Sequence, residues 1–568
     1  MGRRIRWLAL LVCACGPPQR SPVEEAECLE GEITCDGLVV STCAGGRLVA
    51  GETCSTACSP GIGCSLCVAG TGTCDGEYGH ACDELGTGYL DERCDSTLGV
   101  QCESSSGRCR GACAPSSLGK SYLGCEYYAT VTGNGVAQGF SFGVGIGNSS
   151  GVATPVMIDG GELEQPIHLV VPPRSVTMQQ LPWQLDLKLC REPGADGCRN
   201  PAPGALVAGG AYRIRAHAPV SVYQFNPLDC RLPGAFSISN DASVLIPTNA
   251  WGTDYYAAGF SPMYYPSDPP ALYGSLMAVV AKEPNTAVVI VTSADTASGD
   301  DFPGIRAGVP TTFMLGTGDV VELTSVVGDL TGSRVTSDKP VQVISGHYGA
   351  QVPVGVQAAD HLEEAMFPIE TLGTRYVINA PAIANVLPDG KEQIVRVVAT
   401  RNDTTLVYTP PQPGAPATIA TAGGYVELPS SAASYVLTAS APVLAIQYME
   451  GQRAGGGTGD PAMTLAVPVD QFRTSYTFLA PPNFDQNHLD VTAPTGAHVM
   501  LDGIPVELNP IPGTEYSLGR IQELSAGAAS DGSHWIEGDV AFGISVYGYA
   551  PFTSYWYPGG LNLRPLVQ

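Results

Sequence analysis

Charge is the scarcest commodity in this 568-residue chain: Asp, Glu, Lys and Arg make up only 14%, with 28 Lys and Arg against 54 Asp and Glu. The resulting net charge of −26 supplies no cationic surface for phosphate backbones, which excludes nucleic-acid binding as a main role. Aromatics are 7%, and no run of about eighteen apolar residues occurs, so no helical membrane span is expected. Catalytic signatures are missing too: there is no EF-hand loop, Walker loop or dinucleotide fingerprint, and no H-E-x-x-H pair among the eight histidines. No cofactor or metal is expected.

What is present instead is 44% hydrophobic residues with 69 Gly and 46 Pro, a composition that suits strands joined by tight turns over buried cores. The class is all-β.

The first residues read as an export signal. Arg3, Arg4 and Arg6 precede the apolar run Trp7 to Val12, and Val12-Cys13-Ala14-Cys15 resembles a bacterial lipobox. Residues 1–14 are then a signal peptide, Cys15 the lipidated residue and 15–27 a Pro-rich, acidic tether. The lipid is the sole expected membrane contact, at the outer membrane or cell surface; ordinary cleavage with secretion is the alternative.

Residues 28–113 hold thirteen cysteines in a duplicated frame. Cys28-x6-Cys35-Asp36-Gly37-x5-Cys43-x10-Cys54 returns as Cys67-x6-Cys74-Asp75-Gly76-x5-Cys82-x11-Cys94, and the C-x3-C pairs Cys54/Cys58 and Cys109/Cys113 end the copies. Cys64/Cys67 alone has the C-x2-C spacing zinc favours, so export to an oxidising compartment decides for disulfides. Spacing does not give their connectivity. With Cys102, Cys125, Cys190, Cys198 and Cys230 the mature chain has seventeen cysteines besides Cys15, an odd number. If Cys125, Cys190, Cys198 and Cys230 pair among themselves, for instance Cys190 with Cys198, one of the thirteen is left over, pairs outside the chain, or is a buried thiol.

From residue 121 to 563 one strand phrase returns four times: Ala218-Pro219-Val220-Ser221-Val222, Lys339-Pro340-Val341-Gln342-Val343, Ala441-Pro442-Val443-Leu444-Ala445 and Asp539-Val540-Ala541-Phe542-Gly543. The alternation sets one side of a strand against a core, and the spacing is that of small β domains. Repeats are placed at about 121–240, 243–350, 362–452 and 463–560. Each opens on a tyrosine-led strand (Tyr127-Tyr128, Tyr255-Tyr256, Tyr376, Tyr476), preceded by a proline turn in all but the first, which has lost that half. Five or six strands per repeat suit a sandwich; a propeller is the alternative.

The opening Tyr122-Leu123-Gly124-Cys125-Glu126-Tyr127-Tyr128, the Pro-Val strands, and the ending Val546-Tyr547-Gly548-Tyr549 with Ser554-Tyr555-Trp556-Tyr557-Pro558-Gly559-Gly560 resemble the IgGFc-binding protein N-terminal domain family. The resemblance implies an extracellular binding domain and carries over no catalytic residues. It does not reach the cysteine-rich part.

Two local patterns invite a catalytic reading. His361-Leu362-Glu363-Glu364 reads as a solvated turn, and Gly147-Asn148-Ser149-Ser150-Gly151 as a Gly-rich turn, since a nucleophile elbow needs a following helix. Aromatics in the Pro-rich stretch of repeat two, Tyr255, Tyr256, Phe260, Tyr264, Tyr265 and Tyr273, either anchor a partner or cover their own loop. Tyr547, Tyr549, Tyr555, Trp556 and Tyr557 read as a latch closing the last repeat, and Pro410 to Pro416 as an ordinary connection. The expectation is a cell-surface lipoprotein, not an enzyme, that binds an extracellular protein or glycan. A structural envelope protein and a secreted hydrolase with a scattered acidic site are the alternatives.

Overall fold

The computed structural model describes residues 28–566 except 138, 191–196, 199–200, 267–270, 300–301, 384–389, 455–458, 526 and 528–530. Among the described residues the regular structure is β, interrupted by four single 3-10 turns. The chain divides into two compact units, one of 28–94 with Gln101–Arg110 and one of Asp95–Val100 with 111–566.

The smaller unit is two copies of one stapled hairpin module. Ile33–Asp36, Val39–Ala44 and Arg47–Thr53 form one three-stranded sheet, and Gly72–Asp75, Tyr78–Cys82 and Tyr89–Arg93 the other. The repeated Cys-Asp-Gly is the turn: Gly37 and Gly76 both sit at φ 59°, where a Cβ would strain the backbone. Cys28–Cys43, Cys35–Cys58 and Cys54–Cys64 staple the first copy, and Cys67–Cys82, Cys74–Cys102 and Cys94–Cys109 the second. Ordered along each copy, the connectivity is first to third, second to fifth, fourth to sixth in both.

In the larger unit each strand phrase lies in a spine strand that serves two sheets. Three spines are continuous, Tyr212–Asn226, Arg334–Ala350 and Ser533–Ala550, and that of repeat three is split into Tyr435–Ala439 and Val443–Met449. The first half of a spine pairs with the tyrosine-led strand and the second half with a middle strand, as when Arg213 opposite Tyr128 gives way to Phe225 opposite Gly143. Each repeat is thus a curled two-sheet layer structure around its spine.

The leading tyrosine and the Pro-Val phrase turn out to be one device. Tyr127, Tyr255 and Tyr376 donate their hydroxyls to the carbonyls of Val220 (2.5 Å), Val341 (2.7 Å) and Val443 (2.5 Å), and Tyr476 does so to Phe542. All four rings are buried. The hydroxyl also accepts an amide three residues back in the later repeats, from Gly252, Gly373 and Arg473. Successive repeats interlock at the same place: a Cβ on Gly124, Gly252 or Gly373 would strike Pro247, Pro368 or Pro468 of the repeat that follows. The proline half that repeat one lacks is replaced from the far end of the chain. Tyr122 N–H donates to Leu561 O (2.9 Å), Leu563 N–H to Lys120 O (3.0 Å), and Gly560 lies against the Tyr122 ring.

The free edge of each spine receives a short inner strand: Asp241–Val244, Asp360–Ala365, Ala462–Leu465 and Thr553–Pro558. Each inner strand touches the next, and the last touches the first. Their remaining backbone edges face one another, where unpaired amides would be costly. One carboxylate answers them. Asp241 Oδ1 accepts from Ala242 N (2.9 Å) and Trp556 N (3.2 Å), and Oδ2 from Glu363 N and Met463 N (both 3.1 Å). These four amides hold equivalent positions, one on each inner strand, opposite Phe225, Gly346, Tyr448 and Tyr547 of the spines. Asp360 binds the amides of His361 (2.8 Å) and Ser554 (3.2 Å), and Glu364 those of Val244 and Ala365 (both 3.2 Å). Burial pushes the Asp241, Asp360 and Glu364 carboxyls well above the ordinary range, while the amide donors pull the other way.

Candidate functional site

The aromatic stretch of repeat two divides into an inner and an outer half. Tyr255 and Tyr256 are buried in the opening strand, Gly252–Tyr256. Phe260 is buried as well, 5.0 Å from the Tyr448 ring of repeat three. The Arg396 guanidinium lies 4.3 Å from the Phe260 centroid and donates to Gly259 O (2.9 Å) and Asp329 (2.7 Å), while Tyr448 Oη also donates to Gly259 O (2.5 Å). These rings fasten repeat two to repeat three.

Next in the chain Met263–Tyr265 pairs antiparallel with Ala271–Tyr273; residues 267–270 between them lie outside the described residues. The two faces of this hairpin differ, as the two-residue period of a strand requires. On one face Met263 and Ala271 are buried, and Tyr273 packs 5.2 Å from Tyr348 and 6.1 Å from Tyr265. On the other, Tyr264 and its register partner Leu272 are 61% and 47% exposed. An apolar pair held out on a two-stranded support offers large contact area to a partner.

The other candidate positions fall elsewhere. Cys113 bonds to Cys125 and Cys190 to Cys198, within the larger unit. Cys113 therefore does not belong to the second stapled copy, although it stands in a C-x3-C pair with Cys109. The odd thiol is Cys230, buried, with its Sγ 2.9 Å from Asn483 O and its pKa pushed up to about 12 by burial. Cys15 lies outside the described residues. Tyr547, Tyr549, Tyr555, Trp556 and Tyr557 are all buried, and Trp556 supplies one of the four amides held by Asp241.

His361-Leu362-Glu363-Glu364 is not a solvated turn but part of an inner strand, with every side chain buried. Charge in the sequence suggested solvent; the inner-edge amides and polar neighbours supply the partners instead. Glu363 accepts from Thr132 Oγ1 (2.6 Å), Gln224 Nε2 (3.1 Å) and Asn226 Nδ2 (3.2 Å). Among the described residues no three His, Cys, Asp or Glu side chains gather as ligands for a metal ion. No helix among them is long and apolar enough to cross a membrane.

Comparison with known proteins adds three findings. A family model described as IgGFc binding protein matches residues 241–548, more than half of the chain. A human protein named IgGFc-binding protein is 27% identical over 393 residues, which covers 67% of this chain but only 7% of the human one. A solved chain titled Biofilm associated protein - BSP domain aligns over 79% of this chain and 97% of its own at 7% identity, with a TM-score of 0.12, too low for any inference.

Proposed function

Because this chain belongs to the IgGFc binding protein family, we propose that it is an exported, non-enzymatic binding protein whose β repeats engage an extracellular protein. The observation that carries the reading is the repeat-two hairpin, with Tyr264 and Leu272 held outward. Aromatic side chains fixed in this way make the dominant contacts of protein interfaces. The hydrolase alternative would draw on the acids gathered between the inner strands, but Asp241, Asp360 and Glu364 are buried and already engaged by backbone amides. In this reading Cys15 carries the lipid that tethers the chain to the cell surface, and a diacyl or triacyl mass on the N-terminal peptide is the expected result.

Immunoglobulin G Fc fragment is the first probe, because the human relative is named for it. Biolayer interferometry with the full chain is expected to give saturable binding, weakened more than about tenfold in a Tyr264→Ser/Leu272→Ser variant. No saturable binding to the unaltered chain overturns Fc as the partner. Equal affinity in the double variant overturns the hairpin as its site.

A further inference from the structure

Repeat three departs from the other three at its core. Its spine is broken between Ala439 and Val443, and its strands fall into two separate four-stranded sheets. At their open end lies a cavity of about 320 Å³, lined by Gln393, Val395, Gln412, Pro413, Leu428 and Tyr435 among others. The segment after Glu427 closes one side by pairing with the middle strand: Leu428 N–H donates to Val395 O (2.8 Å) and Ser431 N–H to Gln393 O (3.1 Å). The Pro410 to Pro416 connection supplies Gln412 and Pro413 and is therefore a wall, not merely a link.

Two side chains that line this cavity are almost wholly buried and chemically unspent. Gln393 and Tyr435 are each 1% exposed, and neither Gln393 Oε1, Gln393 Nε2 nor Tyr435 Oη has a hydrogen-bond partner. A native core seldom leaves a whole amide unpaired, because each unpaired group carries its full desolvation cost.

The sister repeats show what these positions ordinarily do. Counting from the carbonyl that accepts the tyrosine hydroxyl, Gln393 corresponds to Phe142, Ser275 and Asn487. Phe142 fills its site with a buried ring. Ser275 Oγ donates to Phe260 O (2.6 Å), and Asn487 is satisfied by Pro481 O (2.9 Å) and Tyr555 Oη (2.7 Å). Tyr435 likewise corresponds to Tyr212, Ser333 and His534. Tyr212 Oη donates to Pro182 O (2.5 Å), Ser333 Oγ accepts from Ser293 N (2.9 Å), and His534 pairs with Asp502 (2.7 Å). Both positions are thus filled or paired in three repeats. Only in repeat three are both left open, and both beside a cavity.

We propose that this cavity is a small-ligand site for an uncharged carboxamide or acetamido group, recognised by Gln393 and Tyr435. A glutamine side chain offers one acceptor and two donors, which match the C=O and N–H of another amide, and the tyrosine hydroxyl can add a third hydrogen bond. None of the lining side chains is ionised, so a charged ligand would be desolvated without compensation. Val395, Leu428 and Pro413 provide apolar wall for an attached methyl or methylene. The group can come from an N-acetylated amino sugar or from an amide side chain of a peptide. The site stands apart from the repeat-two hairpin and does not depend on the identity of its partner.

The test is calorimetric titration of the full chain with N-acetylglucosamine, glucose and a blocked glutamine, acetyl-Gln-methylamide. Saturable binding of at least one amide-bearing probe is expected, with none of glucose; which probe binds distinguishes the sugar from the peptide source. Gln393→Leu and Tyr435→Phe should each weaken that binding about tenfold. Because neither side chain has a protein partner, both variants should keep the thermal midpoint of the unaltered chain, which verifies that they fold. The proposal is overturned if no amide-bearing probe binds, if glucose binds equally, or if both variants bind unchanged.

Discussion

The stapled unit and the four-repeat unit are both made of short antiparallel strands, yet different forces hold them. Among the described residues of the stapled unit, the buried apolar side chains other than half-cystines are Val40, Ala57 and Ala81, while Leu29, Leu48, Val49, Leu66, Leu85, Tyr89 and Leu90 face solvent. Six disulfides do the work of a core there. Beyond Gly111, two disulfides and a large continuous core replace them, and the demanding problem becomes the backbone edges that meet where the four inner strands converge. Small modules unable to bury enough surface rely on covalent closure, whereas larger ones can bury acids and use them.

The sharpest way to break this comparison is reduction. Each disulfide contributes about 2–4 kcal/mol, so the stapled unit should unfold completely in dithiothreitol under native conditions. Hydrogen exchange followed by mass spectrometry is expected to show full loss of protection in 28–94, with the spine strands Tyr212–Asn226 and Arg334–Ala350 still protected. Equal loss in both units would erase the distinction.

Acid should act in the opposite direction, on the four-repeat unit. His488 is buried with both ring nitrogens unpartnered, stacked 5.2 Å from Tyr547. Burial holds its pKa down to about 4. The unfolded chain, with an ordinary histidine near 6.5, binds the proton first. The stability this group contributes is therefore whole above about pH 6.5 and lost as pH falls to about 4, up to about 3 kcal/mol. His488→Phe keeps a ring on Tyr547 and removes the titration, so its denaturation midpoint should fall less over that window than the unaltered chain's. Parallel curves would contradict the assignment.

The smallest effect expected is that of the tyrosine device. Tyr376→Phe deletes a hydroxyl that donates to Val443 O and accepts from Gly373 N, and should cost about 1–3 kcal/mol in chemical denaturation. The stapled unit's exchange pattern should not change.

Much of the four-repeat unit was legible because its signals are local and repeated. The leading tyrosine and the Pro-Val phrase recur with fixed grammar, and the structure shows them bonded to each other. The disulfide frame was legible as a duplication, but Cys113 misled, since its C-x3-C spacing imitates Cys54/Cys58 while its partner Cys125 lies beyond the frame. Long-range relations were hidden. Nothing local in Leu561 says that it stands beside Tyr122 in the place of a missing turn. The charges of Glu363 and Glu364 suggested solvent, because the groups that donate to them become neighbours only when distant strands converge. Nothing in the sequence singles out Gln393 or Tyr435, and their unpaired state shows only against the paired equivalents in the sister repeats.

That one carboxylate gathers the four inner strands is tested by Asp241→Ala. Hydrogen exchange in this variant is read at Ala242, Glu363, Met463 and Trp556, the four amides that Asp241 holds. Loss of protection at all four together, across residues more than three hundred apart in sequence, is expected. Loss confined to Ala242 and its own strand, with the other three amides unchanged, would contradict it.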